Sequence, residues 1–279
     1  MKIDRILFKV GTACTLRCKK CGEFNPYLHE KGKAKFYDAD LLCNDIDKLA
    51  EAASEVEVIQ LSGGECLLHP QITKVLEHLR DNPKFKHICI FSNGTYIPKE
   101  DVLKVMVSMG DRFSLDISDY TITGIDSKKT SPVYEKYGIK HQMIEMSYWV
   151  DHTDISFKNL DTEGLKNVAD KCWSYNTDTV MFSAIDGKVS SHCCTAASIM
   201  YYLDLYKDMK SSYVDLRNTT GNIEDELKKL YDAEYMLACN YCRIESEKPH
   251  IQVAEQLTTT NLKVKKKFSF KKIFSFLNR

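Results

Sequence analysis

Short apolar runs alternate with segments of helical periodicity through the first half of the chain. Four of these runs are rich in β-branched or aromatic side chains, as expected for strands. They occupy residues 6–10, 56–61, 87–92 and 113–118. Apolar residues recur at helical spacing between them, at residues 42–53, 72–79 and 102–109. This order predicts parallel strands joined by crossover helices, continued by a helix at 131–137 and a strand at 139–146.

Small and polar residues stand at the C-terminal end of each predicted strand. The segments are Gly11-Thr12, Ser62-Gly63-Gly64-Glu65, Ser92-Asn93-Gly94 and Ser118-Asp119. Barrels and open α/β sheets build their sites at the carboxyl ends of their strands. We therefore expect these segments to border the functional site.

The second half of the chain has a different pattern. Asp186-Gly187 is a strong two-residue turn signal between apolar runs at 180–185 and 188–191, which predicts a β-hairpin. A helical pattern follows Asn222, a residue suited to begin a helix. The sequence thus predicts an α/β fold with a small β-containing module after it.

Charge and hydropathy exclude several classes of function. Lys and Arg total 39, and Asp and Glu also total 39, so the chain has no basic surplus for nucleic acid. The apolar run near the N-terminus is too short for a signal peptide. No stretch approaches the roughly 18 apolar residues needed to cross a bilayer. We therefore expect a cytoplasmic protein.

The first group of cysteines is Cys14, Cys18 and Cys21, directly after the first predicted strand. Thiolates favour iron–sulfur clusters, zinc or copper over hard cations. A closed structural zinc site needs four ligands, whereas three cysteines on a four-iron cluster leave one iron open. An iron–sulfur cluster is therefore the preferred interpretation, with zinc binding or thiol redox chemistry as the alternative.

A second group of cysteines lies far along the chain. Its members are Cys172, Cys193, Cys194, Cys239 and Cys242. The pair Cys239-x2-Cys242 suits chelation, and Cys193 falls at the end of the predicted hairpin. Four such thiolates could hold a structural zinc ion. His192 is expected to face solvent rather than bind a metal.

The pattern Cys14-x3-Cys18-x2-Cys21 after a first strand resembles the radical S-adenosylmethionine (SAM) superfamily, as does Gly63-Gly64-Glu65 after the second strand. This resemblance implies a partial (β/α)6 barrel whose three cysteines hold a 4Fe–4S cluster that binds SAM. It implies that Gly63, Gly64 and Glu65 contact the SAM amino group. It also implies that Asn93 and Ser118 contact the ribose and methionine parts.

The order Cys172, Cys193, Cys239 and Cys242 resembles the Twitch module, a shortened SPASM domain. The resemblance implies an auxiliary 4Fe–4S cluster held by these four cysteines. The spacing from Gly187 to Cys193 is one residue longer than in relatives, so Cys194 is an alternative third ligand. We expect the barrel over residues 1–160, the module over 161–255 and a tail over 256–279.

The layout is similar to radical SAM proteins of the 2-deoxy-scyllo-inosamine dehydrogenase type and of polysaccharide biosynthesis. It implies an oxidoreductase that forms a 5′-deoxyadenosyl radical and oxidises a sugar or cyclitol alcohol, free or nucleotide-linked. The auxiliary cluster would accept an electron, and a flavodoxin or ferredoxin would supply the reductant. Asp151 or His152 would accept the hydroxyl proton, unless both are ordinary loop residues.

Two other functions compete with alcohol oxidation. One is maturation of a ribosomal peptide by epimerisation or crosslinking. The other is a non-catalytic metal-cluster scaffold, which the complete cysteine triad with Gly-Gly-Glu argues against.

The C-terminal tail has a composition of its own. Residues 263–279 contain no acidic residue and interleave lysines with phenylalanines. Such a segment suits weak contact with an anionic membrane surface, or else a solvated tail.

Overall fold

A computed structural model describes residues 1–244 and 247–257. Its strands are β1 (Lys2–Lys9), β2 (Glu55–Ser62), β3 (Phe85–Ser92), β4 (Phe113–Asp119), β5 (His141–Glu145), β6 (Trp149–Val150), β7 (Met181–Ile185), β8 (Lys188–Ser191), β9 (Val214–Asp215) and β10 (His250–Ile251). Its α-helices are α1 (Asn25–Glu30), α2 (Ala39–Ala52), α3 (Ile72–Asp81), α4 (Glu100–Ser108), α5 (Ser131–Tyr137), α6 (Thr162–Asp170), α7 (Cys194–Leu203) and α8 (Ile223–Tyr231). Apart from residues 256 and 257, the predicted tail lies outside the described residues.

The main sheet has eight strands in the order β5-β4-β3-β2-β1-β7-β8-β9. Neighbouring strands from β5 to β7 pair in parallel, whereas β8 and β9 continue the sheet in antiparallel pairs. The alternating strands and helices of the first half are therefore confirmed. The arrangement is consistent with the expected partial barrel.

The strand β7 has a different place from the one predicted. The sequence predicts a hairpin inside a separate module, and β7 and β8 do form that hairpin. Yet β7 also pairs in parallel with β1, from Arg5 opposite Met181 to Lys9 opposite Ile185. The hairpin is thus an extension of the main sheet beside its first strand.

The two largest hydrophobic clusters of the described residues stabilise this arrangement. The larger one packs the parallel strands against α2 to α5 and α8, and includes the fully buried residues Ile6, Ile59 and Leu76. The smaller one lies under the second group of cysteines and includes Met200, Met236 and Cys239. Burial of such side chains contributes about 1.5–3 kcal/mol each.

The helices begin where the sequence supplies side-chain acceptors. Asp38 accepts hydrogen bonds from the backbone N–H groups of Asp40 and Leu41 at the start of α2. Asn222 caps α8 in the same manner, as predicted. Among the described residues, no helix has the length and apolar character required to traverse a membrane.

Candidate active site

The first cysteine loop is held by backbone contacts with the end of β2. Gly64 N–H donates to the Gly11 carbonyl at 3.1 Å, and Glu65 N–H donates to the Ala13 carbonyl at 2.9 Å. A Cβ atom on Gly63 would lie 2.2 Å from the Gly11 oxygen, and one on Gly64 would lie 1.9 Å from the Ala13 oxygen. Both glycines are therefore required for the close approach of these two backbones.

Each sulfur of the first cysteine group accepts a hydrogen bond from a side-chain amide. Asn93 Nδ2 lies 3.6 Å from Cys14 Sγ, and Gln256 Nε2 lies 3.4 Å from Cys18 Sγ. The third sulfur, that of Cys21, receives the amide of Asn25 at 3.8 Å. The three thiols thus meet donors from three separate parts of the chain.

Burial dominates the protonation of these thiols. It raises the pKa of Cys14 to about 11 and the pKa of Cys21 to about 12, and it also raises the pKa of Cys18. Thiolates bind metals, so these groups would release their protons when a cationic cluster offsets the burial.

A cavity of about 420 Å³ lies at the carboxyl ends of the parallel strands. All three cysteines of the first group line it. On the side of β2 to β4 its wall is formed by Gly63, Gly64, Asn93 and Ser118. On the side of β1 and β7 it is formed by Glu23, Cys194 and Thr195. The cavity thus has two distinguishable walls, separated by the sheet order.

Glu65 lies behind this wall rather than in it. Its carboxylate accepts hydrogen bonds from Ser92 Oγ at 3.0 and 3.1 Å and from the Asn93 N–H at 2.9 Å. Burial raises the pKa of Glu65 to about 7, although these hydrogen bonds oppose the shift. Glu65 is not among the cavity-lining residues. In this geometry it positions Asn93, and the contact with SAM that the resemblance implies stays a prediction.

Asn93 and Ser118 lie where the sequence predicts them, on the cavity wall. Asn93 is nine-tenths buried and also donates to Thr15 Oγ1 at 3.0 Å. Ser118 is 1% exposed, and its hydroxyl makes no hydrogen bond of normal geometry with the described residues. A buried hydroxyl beside a cavity suits a ligand that completes its hydrogen bonding.

The two candidate proton acceptors have different surroundings. His152 lines the cavity, and its Nδ1 lies 3.2 Å from Lys248 Nζ. Asp151 is not a lining residue and forms an ion pair with Lys20 at 2.6 Å. Burial alone would raise the pKa of Asp151, but the hydrogen bonds from Lys20 and Thr153 lower it overall. A carboxylate with a lowered pKa is a weak base, so His152 is better suited to the role.

The second cysteine group assembles from three segments of the chain. Cys172 follows α6, Cys193 precedes α7, and Cys239 and Cys242 belong to one tight turn in which Cys242 N–H donates to the Cys239 carbonyl at 3.1 Å. Burial raises the pKa of Cys193 well above its usual value, and the neighbouring Cys194, Cys242 and Cys172 raise it further. The pKa of Cys239 rises to about 11, again through burial first.

The two candidates for the third ligand of the second group, Cys193 and Cys194, have different neighbours. Cys193 faces Cys172 and Cys242, whereas Cys194 lines the cavity and is close to Glu23. Immediately before them His192 adopts a left-handed backbone conformation, with φ of 56°. These surroundings favour Cys193 as the third ligand, and the assignment stays a prediction.

His192 is buried, and the expectation that it faces solvent is wrong. Its ring stacks between Tyr175 and Tyr231, with centroid distances of 4.3 and 4.7 Å. Nε2 lies 2.9 Å from the Tyr231 carbonyl oxygen. The residue is thus a packing element of the hairpin end.

Residues 8–128 match the family model described as Radical SAM superfamily. This segment contains the cysteine loop, Gly63-Gly64 and Asn93, all of which the cavity brings together. Over this segment the chain is therefore similar to the radical SAM superfamily. Members of this superfamily use a 4Fe–4S cluster and SAM.

Similar proteins extend this result. The GTP 3′,8-cyclase of Clostridium acetobutylicum is 32% identical over 100 residues, which cover 35% of this chain and 29% of that protein. The GTP 3′,8-cyclase of Chlorobaculum tepidum is 30% identical over 120 residues, which cover 42% of this chain and 34% of the relative. The chain therefore spans about a third of the length of these curated relatives.

Solved structures support the fold. The structure of native anSMEcpe with bound AdoMet has a TM-score of 0.53 and 16% sequence identity, and the match covers 83% of each chain. At this identity the likeness shows the fold alone. It agrees with the mostly parallel α/β sheet described above.

The radical SAM cysteines fit a 4Fe–4S cluster by their chemistry. They offer three thiols, each with an amide donor, in the lining of the cavity. Within residues 1–244 and 247–257, no three His, Cys, Asp or Glu side chains converge as a site for a single metal ion. A four-iron cluster does not require this convergence, because each cysteine binds a different iron.

Three residues of the radical SAM site were missed by the sequence analysis. Asn25 and Gln256 donate to cysteine sulfurs, and Glu23 lines the cavity. Gln256 reaches the loop because residues 253–257 lie along it, where Leu257 N–H donates to the Arg17 carbonyl at 2.8 Å. No local pattern in the sequence signals such a long-range contact.

Proposed function

We propose that the protein is a radical SAM oxidoreductase that oxidises a sugar or cyclitol alcohol to a ketone. The observation that carries this proposal is the second cysteine group, Cys172, Cys193, Cys239 and Cys242, directly behind the cavity wall formed by Cys194. Four cysteines on four irons leave no open iron for substrate. An auxiliary cluster of that kind is suited to accept an electron.

When bound, SAM and its cluster would supply a 5′-deoxyadenosyl radical, and the auxiliary cluster would supply an electron acceptor. Alcohol oxidation to a ketone removes two electrons and two protons. One hydrogen atom leaves the carbon, one electron leaves the resulting substrate radical, and one proton leaves the hydroxyl. The three losses balance, provided that a protein group takes the proton.

The residues of this chain have separable roles in that reaction. Cys14, Cys18 and Cys21 would hold the cluster, and the wall of Gly63, Gly64, Asn93 and Ser118 would hold SAM. His152 would accept the hydroxyl proton, because it lines the cavity whereas Asp151 does not. The ion pair of Asp151 with Lys20 would keep this loop in place. A flavodoxin or ferredoxin would deliver the first electron.

The cavity disfavours the substrate that the names of the curated relatives imply. A nucleoside triphosphate needs several cationic groups. Among the described residues, the lysine that lines the cavity is Lys20, which is already paired with Asp151, and the cavity lining also contains the carboxylate of Glu23. An uncharged or cationic substrate suits these surroundings better.

The test compares three proteins after anaerobic reconstitution. These are the wild type, a Cys14/Cys18/Cys21→Ala variant and a Cys172/Cys193/Cys239/Cys242→Ala variant. We expect about eight irons in the wild type and about four in each variant. Only the wild type should convert an alcohol to a ketone, whereas the second variant should still form 5′-deoxyadenosine with dithionite.

Two results would contradict the proposal. Zinc in place of iron would indicate a structural metal protein. Undiminished ketone formation by the second variant would remove the auxiliary group from the reaction. Borohydride trapping of the ketone provides the readout, and the assay uses a panel of sugars and cyclitols.

A further inference from the structure

Glu23 is held against the cavity by a buried lysine. Lys9, at the end of β1, is 2% exposed, and its ammonium forms an ion pair with Glu23 Oε2. Ser198 Oγ lies 2.9 Å from the same carboxylate oxygen. A buried ammonium needs a paired carboxylate, since an unpaired one is strongly destabilising. These contacts fix the Glu23 side chain in one position.

The other carboxylate oxygen of Glu23 is available to a ligand. Glu23 lines the cavity, and 30% of its side chain is exposed. Oε2 receives both polar contacts, and Oε1 makes no hydrogen bond with the described part of the chain. A carboxylate oxygen in this position is an acceptor only, so it would bind a hydroxyl or an ammonium group.

The sheet order places Glu23 away from the SAM wall. Gly63 and Gly64 follow β2, Asn93 follows β3, and Ser118 lies near the end of β4. By contrast, Ser198 and the cavity-lining Cys194 belong to α7, which follows the β7–β8 hairpin beside β1. Glu23 also comes two residues after Cys21, and Cys194 comes one residue after Cys193. A molecule bound at Glu23 would therefore lie between the two cysteine groups.

We propose that Glu23 binds the substrate through a hydrogen-bond donor, and that it selects polyols or amino-bearing cyclitols over anionic sugars. This inference rests on the proposed function, because it places the substrate in the same cavity. Glu23 acts by positioning, and Lys9 and Ser198 act through it. An anionic sugar would meet the Glu23 carboxylate at close range and be repelled.

Binding of three probes to the SAM-loaded holoenzyme tests this inference. The probes are 2-deoxy-scyllo-inosamine, myo-inositol and glucuronate, which carry an ammonium group, hydroxyls only and a carboxylate. The readout is the change each probe makes in the EPR spectrum of the SAM-bound cluster. We expect the wild type to bind the inosamine most tightly and glucuronate most weakly.

The variant Glu23→Gln retains size but leaves the buried Lys9 without its charge partner. The double variant Lys9→Met/Glu23→Gln restores neutrality and guards against misfolding. We expect both to bind the inosamine at least about tenfold more weakly, the effect of a lost charged hydrogen bond. Iron content should be retained in both variants. Glu30→Gln, on α1 outside the cavity lining, is the matched control.

Three outcomes would overturn the inference. They are wild-type inosamine binding by the double variant, a wild-type preference for glucuronate, and binding of none of the three probes. The proposed function fails separately. Tight inosamine binding without ketone formation would contradict alcohol oxidation while leaving the role of Glu23 intact. Ketone formation that persists in the double variant would contradict only the role of Glu23.

Discussion

The two cysteine groups are built in different ways. The first occupies one loop that backbone atoms hold directly against the end of β2, through Gly63 and Gly64. The second gathers cysteines from segments some seventy residues apart, over a small cluster of side chains that includes Met200 and Met236. Backbone contact tolerates almost no substitution, whereas side-chain packing can be achieved by many sequences. The first site can therefore be recognised in the sequence by a motif, whereas the second can be recognised mainly by the order of its cysteines.

Of the substitutions that test this comparison, Gly64→Ala should have the largest effect. Its Cβ would lie 1.9 Å from the Ala13 carbonyl oxygen, so the cysteine loop must leave β2. We expect a loss of more than about 4 kcal/mol of folding free energy, together with loss of the first cluster. Urea denaturation and iron content measure both.

Gly221→Ala is the matched control, because the nearest atom to its Cβ is 4.0 Å away. It should change stability by less than about 1 kcal/mol. If the Gly64→Ala variant had the same free energy of unfolding as the wild type, backbone contact would not be what holds the first site together.

The stability of the metal-free protein should depend on pH through Glu65. Burial raises the pKa of Glu65 to about 7, whereas in the unfolded chain it is about 4.3. Between these values the folded protein retains a proton that the unfolded chain has released. Stability should therefore fall as pH rises from about 5 to about 7, by about 2 kcal/mol.

Glu65→Gln should remove this pH dependence of the free energy of unfolding. Glu163→Gln, at an exposed position, should retain it. Urea denaturation at several pH values measures the effect. An unchanged slope in the Glu65→Gln variant would mean that this carboxyl is not the buried acid behind the first site.

The substitution Met200→Ala should affect the second site selectively. Met200 is fully buried beneath the second cysteine group, and its truncation should cost about 2–3 kcal/mol. We expect loss of the auxiliary iron before the radical SAM iron during titration with a chelator. Leu76→Ala, equally buried in the larger cluster, should cost as much without that order of loss. If the Met200→Ala variant released the irons of both clusters together, the two cysteine groups would not be stabilised independently of each other.

Gln256→Ala should have the smallest effect. It removes the amide donor to Cys18 Sγ, a contact worth about 1 kcal/mol. Fewer hydrogen bonds to cluster sulfurs make the reduced state less favourable, so the reduction potential of the first cluster should become more negative. EPR-monitored redox titration measures the shift. Gln142→Ala, whose amide donates to Asp116 instead, should leave the potential unchanged.

Local pattern was sufficient to predict the alternating strands and helices, the hairpin after Val180 and the first cysteine loop. The helix at 131–137 was predicted with its observed bounds because an N-terminal Pro and a C-terminal Gly delimit it. Each of these features depends on periodicity or on a turn residue within a short window. Long-range pairing has no such signal, so the place of β7 beside β1 could not be predicted.

The cavity wall that contains Glu23 was missed for a related reason. Lys9 near the end of a strand is ordinarily a surface residue, and its burial depends on α7, nearly two hundred residues later. Glu23 gains its importance only from that lysine and from the cavity. His192 was likewise predicted to be exposed, because the sequence does not show that two tyrosines enclose it.

The parallel pairing of β7 with β1 has a consequence for protein engineering. Domains that can be exchanged between proteins are joined by linkers that few contacts cross. Here the strand that leads to the second cysteine group is hydrogen-bonded along its length to the strand that leads to the first. A chimera that replaces residues 161–255 must therefore reproduce the edge of the host sheet, and swapping the iron-binding segment alone will not transplant the function.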